Sequence, residues 1–132
     1  MRQEEHEVGD SAAIRDPDYA TTADAEIMII PQIETELAVR NLEGIVCAEG
    51  INAVFCGPFD LSMSLGVFRQ FDNPKFLRAT ASIVSTCKAH DVAPGILAPT
   101  GPLERTIEQG FKLISLGGDL SMLAGSVTKA LE

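Results

Sequence analysis

Two acidic side chains stand where a parallel sheet would bring them to one edge. Glu34 directly follows an apolar run at residues 27–33, and Asp60 closely follows a second apolar run at residues 51–56. Neighbouring strands lie about 4.8 Å apart, so the two carboxylates would repel each other unless a cation lay between them. Oxygen ligands with open coordination positions suit Mg²⁺ or Mn²⁺. One interpretation of Glu34 and Asp60 is therefore a divalent metal site.

Each carboxylate also has a purely structural interpretation, and spacing alone leaves both open. Glu34 could be a first-turn residue favoured by the positive end of the following helix, and Asp60 could cap the short segment after it. The turn Gly57-Pro58-Phe59-Asp60 adds a second candidate site. The backbone N–H groups of Phe59 and Asp60 could form a small nest that binds a carboxylate, whereas Pro58 has no N–H to donate.

The elements that would position these residues alternate between strand and helix. Apolar runs at residues 27–33, 51–56, 92–98 and 111–116 predict four strands, the first of them buried on both faces. Helical segments between and after them have predicted N-caps at Thr35, Asn73 and Asp119. Strict alternation predicts an α/β fold of four β/α units with a parallel sheet. It is either a small open sheet or part of an eightfold barrel, since a full barrel takes about 250 residues.

Length and charge limit the classes of function. The chain has 132 residues, with 10 Lys and Arg against 19 Asp and Glu, and a net charge of −9. A protein that neutralises phosphates would need the opposite sign, so we expect no nucleic-acid partner and no anionic membrane surface. Residues 1–26 hold two basic and eight acidic side chains. We therefore divide the chain into an acidic, irregular segment at 1–26 and a domain at 27–132.

The cysteines and histidines give no clear catalytic pattern. Cys47, Cys56 and Cys87 have apolar neighbours and no CxxC spacing, so we expect small core residues rather than a disulfide framework or a zinc finger. His6 and His90 are expected in surface or helix-terminal roles. Free thiols, the absence of an apolar signal core and the absence of a membrane-length apolar run predict a cytoplasmic location.

Several motifs in order resemble the HpcH/HpaI aldolases, which are metal-dependent pyruvate aldolases of the 4-hydroxy-2-oxoheptanedioate aldolase type. They are IPQIET at 30–35, NLEGI at 41–45, GPFDLS at 57–62 with SLG at 64–66, and GGD at 117–119. The resemblance runs from about Asp18 to the C-terminus and covers only the C-terminal half of the family. It implies half of a (β/α)₈ TIM barrel and a homo-oligomer in which neighbouring subunits exchange a C-terminal helix.

The resemblance also implies the chemistry of the site. Glu34 and Asp60 would hold Mg²⁺ or Mn²⁺, and pyruvate would be oriented by Gln32 and by the N–H groups of Phe59 and Asp60. The reaction would be the reversible cleavage of a 4-hydroxy-2-oxo acid to pyruvate and an aldehyde, with the metal as Lewis acid. The small-molecule partner is thus a 2-oxo acid.

The departures from the family leave other functions open. The family's base histidine and its polarising arginine belong to the absent N-terminal half, so no catalytic residue is assigned, and neither His6 nor Arg15 takes those roles. Phe59 stands where the family usually has a small residue. A non-catalytic 2-oxo-acid-binding or assembly module is one alternative, because half a barrel leaves two open strand edges. A citrate-lyase-β or malyl-CoA-type lyase is another, although no clear basic cluster for CoA is present.

Overall fold

A computed structural model describes residues 19–98 and 103–131, and these form a four-stranded parallel sheet with helices between the strands. The strands are β1 (Gln32–Ile33), β2 (Ala53–Cys56), β3 (Ala93–Leu97) and β4 (Leu113–Ser115), in the order β1-β2-β3-β4. The helices are α1 (Tyr19–Glu26), α2 (Glu36–Arg40), α3 (Leu42–Val46), α4 (Pro58–Ser64), α5 (Pro74–Ala89), α6 (Leu103–Glu108) and α7 (Asp119–Ala130). The predicted α/β fold of four β/α units is confirmed.

The strand register gives the sheet two different faces. One row of register partners is apolar and mostly buried: Ile33, Cys56, Ile96 and Ile114. The next row is more open to solvent at its ends: Gln32, Phe55, Gly95 and Leu113. Successive residues of a strand point to opposite faces, so the first row faces one side and the second faces the other. The first row packs with helices α3 and α5, while the second row would line the interior of a closed barrel.

Burial on the helix-covered face stabilises the sheet. Leu42 of α3 and Ile83 of α5 are almost completely buried, and both belong to one core with Val54 of β2. Full burial of such a side chain contributes about 1.5–3 kcal/mol. Phe76, Ile83 and Cys87 lie on the buried face of α5, as the helical spacing predicts. This core holds the strands whose carboxyl ends carry Glu34 and Gly57.

The first strand is shorter and more exposed than predicted. Only Gln32–Ile33 forms a strand, Ile29 makes a single bridge to Ile51, and Ile27 and Met28 are about 60% exposed. The prediction of burial on both faces is wrong because β1 is an edge strand with one neighbour, so part of this apolar run has no partner. Pro31 has no N–H to donate and fits such an edge, as its type predicts.

The segment before β1 also differs from expectation. The sequence predicts irregular chain through residue 26, but residues 19–26 form α1. Residues 1–18 lie outside the described part of the chain. The domain boundary at residue 26 stays a prediction.

The helix starts agree with the sequence at two positions and differ at two. Thr35 caps α2 by accepting a hydrogen bond from the Ala38 N–H (3.0 Å), and Asn73 caps α5. The predicted turn at 57–60 is instead the N-cap and first turn of α4, because Pro58 has the fixed φ that suits the first helical position. At α7 the cap is Gly118, and Asp119 is the first helical residue.

The last helix has no buried residue in this chain. Leu120 and Leu123 are 78% and 64% exposed, and Val127 lies on the same side of α7.

Among the described residues, no helix is both long enough and apolar enough to cross a bilayer.

Candidate functional site

Glu34 lies directly beside Gly57, at the carboxyl ends of β1 and β2. The Gly57 N–H donates a hydrogen bond to the Ile33 carbonyl (3.3 Å), which extends the β1–β2 ladder to this point. A Cβ on residue 57 would lie 2.5 Å from Glu34 Oε1 and 2.8 Å from Glu34 Cγ. Both distances are shorter than non-bonded atoms tolerate. The glycine therefore makes the space that the half-buried Glu34 side chain occupies.

Asp60 lies at the same edge of the sheet. Gly57 is the N-cap of α4, and Asp60 is the third residue of that helix, one turn further along. Its side chain is exposed. The structure thus brings both predicted ligands to one end of the neighbouring strands β1 and β2. Metal binding by Glu34 and Asp60 stays a prediction.

Gln32 lies on the same side of β1 as Glu34, because residues two apart in a strand share a face. Ile33 between them points the other way and is fully buried. Gln32 itself is exposed. Its amide is therefore on the side of the sheet that holds Glu34. Substrate binding by Gln32 stays a prediction.

The Phe59 side chain belongs to an aromatic cluster. Its ring meets Phe71 edge-on at 5.5 Å between centroids, and the Arg69 guanidinium lies 5.5 Å from the Phe59 centroid. Phe71 in turn contacts the buried ring of Phe76. The fully buried Ser62 hydroxyl donates to the Phe59 carbonyl (2.8 Å) and accepts from the Arg69 N–H (3.1 Å). These contacts fix the first turn of α4, where the Phe59 and Asp60 N–H groups have no acceptor within the helix.

Cys56 precedes Gly57 and is fully buried. Burial, together with the negative charge of Glu34, raises the pKa of the Cys56 thiol to about 12. A neutral thiol at this position is a small apolar residue, as the sequence predicts. Cys87 is also buried, which confirms the prediction for that cysteine.

A second cluster of polar side chains was not predicted from the sequence. Glu43, Cys47 and His90 place one ligand-type atom each within 4.8 Å of one another. Cys47 is exposed, so its predicted place in the core is wrong. Glu43 and Cys47 are four residues apart and share a helix face. The spacing of Glu43 and Cys47 was the only sign of this cluster in the sequence, because His90 joins the two residues only in the folded chain. His90 is the C-cap of α5, as its helix-terminal prediction requires.

Comparison with known proteins gives a consistent match. The model of the HpcH/HpaI aldolase/citrate lyase family matches residues 1–125, which includes the acidic N-terminal segment. The 5-keto-4-deoxy-D-glucarate aldolase of Klebsiella pneumoniae is 35% identical over 117 residues, covering 88% of this chain and 46% of that protein. The chain spans about half the length of the curated relatives it matches.

Solved structures agree with the sequence match. An HpcH/HpaI aldolase/citrate lyase family protein from Burkholderia cenocepacia superposes with a TM-score of 0.79 and 34% identity, covering 87% of this chain and 45% of that one. The citrate synthase SbnG superposes with a TM-score of 0.75 and 26% identity, covering 86% of this chain and 47% of that one. The four β/α units therefore correspond to about half of a protein of this kind.

Proposed function

The chain belongs to the HpcH/HpaI aldolase/citrate lyase family, and from that premise we propose that it carries the metal- and 2-oxo-acid-binding half of a carbon–carbon lyase. The reaction would cleave a 4-hydroxy-2-oxo acid to pyruvate, or a close 2-oxo acid, and an aldehyde. The observation that carries this proposal is the position of Glu34. Its carboxylate fills the space that Gly57 leaves at the carboxyl edge of β1 and β2, with Asp60 one turn into α4.

The residues at this edge fit a divalent cation. Two carboxylates supply hard oxygen donors, and the exposed position of Asp60 leaves room for water and substrate to complete the coordination. We assign Glu34 and Asp60 as the ligands and Mg²⁺ or Mn²⁺ as the cation. When bound there, the cation would supply Lewis-acid stabilisation for the negative charge that develops on the 2-oxo acid.

The neighbouring groups would orient the substrate. Gln32 has two amide donors on the side of β1 that holds Glu34, and these suit a keto or carboxylate oxygen. The Phe59 and Asp60 N–H groups in the first turn of α4 suit the substrate carboxylate. The Phe59 ring packs edge-on against Phe71. A substrate could therefore bind the Phe59 N–H while the Phe59 ring stays packed.

The relatives favour a particular substrate class. A relative at 35% identity is named for 5-keto-4-deoxy-D-glucarate, a keto-deoxy sugar diacid. We therefore favour a keto-deoxy sugar acid over 4-hydroxy-2-oxoheptanedioate itself. The structurally similar SbnG is named a citrate synthase, which supports a carboxylate-rich substrate in either case.

No residue of this chain is assigned as the base or the polarising arginine. His90, in the described part, is hydrogen-bonded to Glu43 and is the C-cap of α5, near the opposite, amino end of the strands. We propose that those two groups come from a segment equivalent to the other half of the relatives. The free thiols in the described chain support a reducing, cytoplasmic location.

We also propose that the chain forms a homo-oligomer. The apolar side of α7, formed by Leu120, Leu123 and Val127, is exposed in the single chain. The apolar residues Ile27 and Met28, between α1 and β1, are exposed as well. Burial of these surfaces against another copy is the expected source of stability for a sheet that does not close.

Proton exchange tests the proposed chemistry without knowledge of the aldehyde. The full chain is incubated with pyruvate and Mn²⁺ in D₂O, and loss of the methyl proton signal is followed by NMR. Exchange that requires metal, disappears in Glu34→Gln and persists in the exposed control Glu108→Gln supports the proposal. Because no base is assigned in this chain, the methyl proton passes to solvent in this experiment. Absence of exchange above background in the wild-type chain contradicts metal-dependent enolate formation by this chain alone and favours a non-catalytic binding module.

A further inference from the structure

The cluster of Glu43, Cys47 and His90 lies away from the proposed aldolase site. Cys47 is the C-cap of α3, which precedes β2, and His90 is the C-cap of α5, which precedes β3. Both residues are thus near the amino ends of the strands, whereas Glu34 and Gly57 follow the carboxyl ends. A role for this cluster is therefore separate from the site proposed above.

Hydrogen bonding orients the imidazole of His90. The Nε2 atom lies 2.8 Å from Glu43 Oε1, and the Nδ1 atom lies 3.6 Å from Cys47 Sγ. An ionised carboxylate only accepts hydrogen bonds, so Nε2 must carry the proton that it donates to Glu43. In the neutral ring this leaves the lone pair of Nδ1 directed toward the Cys47 sulfur. A nitrogen lone pair and a thiol therefore face one another at the surface.

This arrangement has the features of a site for a thiophilic divalent cation. Metal-bound histidines commonly donate their other ring N–H to a carboxylate, which fixes the tautomer and orientation of the ring. A tetrahedral Zn²⁺ with bonds of about 2.0–2.3 Å would hold a nitrogen and a sulfur roughly 3.5 Å apart. The observed separation of 3.6 Å between Nδ1 and Sγ already matches that geometry.

The backbone adds a favourable field. His90 follows the last residue of the 16-residue helix α5, and Cys47 follows the last residue of α3. The C-terminal end of a helix carries a partial negative charge that favours cations. Glu43 brings a further negative charge to the same point. The cluster thus combines soft donors with negative electrostatics.

We propose that Cys47 Sγ and His90 Nδ1 bind Zn²⁺ or a similar thiophilic divalent cation, with Glu43 holding the imidazole and water filling the open positions. On binding, the Cys47 thiol releases its proton to solvent and coordinates as the thiolate, while neutral His90 coordinates through its lone pair. The cation would join the end of α3 to the end of α5. This inference does not depend on the proposed aldolase function.

The absorption spectrum of bound Co²⁺ reports directly whether a thiolate is one of its ligands. The full chain is titrated with Co²⁺, and the near-ultraviolet thiolate-to-cobalt charge-transfer band is measured. We expect the band in the wild-type chain and its loss in Cys47→Ser. Glu34→Gln should keep the band, because Glu34 belongs to the other site. Zn²⁺ added afterwards should displace Co²⁺ and abolish the band.

Two more variants test the roles of the other residues. His90→Gln should weaken Zn²⁺ binding, measured by competition with a chromogenic chelator, by at least the roughly 10–100-fold that loss of an outer partner costs. Glu43→Ala should weaken binding by about tenfold and keep the charge-transfer band. Glu108→Gln is the exposed control and should bind as the wild type does.

The unfolding temperature tests Zn²⁺ binding independently of the charge-transfer band. Ligand that binds only the folded state raises the unfolding temperature. Zn²⁺ should therefore raise it in Glu34→Gln, which lacks the other proposed cation site, and not in the double variant Glu34→Gln with Cys47→Ser. Absence of the charge-transfer band, or its persistence in Cys47→Ser, overturns the proposal. A wild-type chain that Zn²⁺ fails to stabilise also overturns it and leaves the cluster as a hydrogen-bonded link between α3 and α5.

Discussion

The carboxylate of Glu34 occupies the volume that any side chain at Gly57 would need. A Cβ at residue 57 would lie 2.5 Å from Glu34 Oε1. The backbone at Gly57 has φ −88°, which every residue adopts. The requirement for glycine is therefore one of space beside Glu34, not of backbone conformation.

Substitution of Gly57 by alanine tests this relationship. We expect Gly57→Ala to push the Glu34 side chain away and to destabilise the fold by about 1–3 kcal/mol, as overpacking does. In Glu34→Ala the clash is gone, so the same substitution should cost much less in the double variant. Urea unfolding of the four proteins in this cycle measures the coupling.

Gly44 is the matched control for that substitution. It lies within α3, and beyond its chain neighbours and the local helix backbone no described atom lies within 4 Å of the position its Cβ would take. Gly44→Ala should therefore stabilise the protein by about 0.5–1 kcal/mol through helix propensity. Equal effects at residues 44 and 57 would contradict a steric role for Gly57.

The cap at Thr35 starts the helix that directly follows Glu34. Its hydroxyl oxygen accepts the Ala38 N–H at 3.0 Å. Thr35→Ala should lower the free energy of unfolding by about 1 kcal/mol, while Thr35→Ser keeps the acceptor and should be at least about as stable as the wild type. Urea unfolding checks both values, and an alanine variant as stable as the serine variant would show that the cap contributes nothing.

Alkaline pH should destabilise the protein through its buried thiols. Burial raises the pKa of Cys87 to about 11, above the value of about 8.5 for a free cysteine. The unfolded chain therefore loses this proton first as the pH rises. The free energy of unfolding should fall between those two pH values, with no contribution from Cys87 below them.

The slope of stability against pH isolates this effect. Cys87→Ala should flatten the decline, whatever its effect on absolute stability. Urea unfolding across an alkaline pH series measures the slopes, and parallel slopes for the wild type and Cys87→Ala would refute the assignment.

The exposed side of α7 predicts association. Leu120 and Leu123 are 78% and 64% exposed. The double variant Leu120→Glu with Leu123→Glu should shift the chain toward monomer in sedimentation velocity. Lys129→Glu, on the opposite side of α7, should leave the distribution unchanged. A wild-type chain that sediments as a monodisperse monomer contradicts the proposed homo-oligomer.

Local patterns predicted the fold well where a residue type fixes the backbone. The side chains of Thr35 and Asn73 cap the helices they precede, and the apolar stripe of α5 is buried. Prediction failed where the outcome depends on neighbours in space. Ile27 is exposed because the apolar run that contains it forms only the short edge strand β1 at Gln32–Ile33. Helix α4 replaces a turn because Pro58 suits a helix start.

The candidate sites show the same division. The order of the predicted strands and the order of the motifs were enough to predict that Glu34 and Asp60 lie at one edge of the sheet. The close approach of Glu34 to Gly57 depends on the β1–β2 register, which the sequence does not specify. The pairing of Cys47 with His90 joins residues 43 positions apart, and only the packing of α3 against α5 reveals it.

Manganese binding tests the central claim most directly. Free Mn²⁺ is measured by electron paramagnetic resonance during titration of the full chain and of Glu34→Gln, Asp60→Asn and Glu108→Gln. We expect saturable binding by the wild type and by Glu108→Gln, and affinity at least about tenfold weaker in each of the other two variants. Equal binding by all four proteins, or no binding by the wild-type chain, would contradict the assignment of Glu34 and Asp60 as the metal ligands.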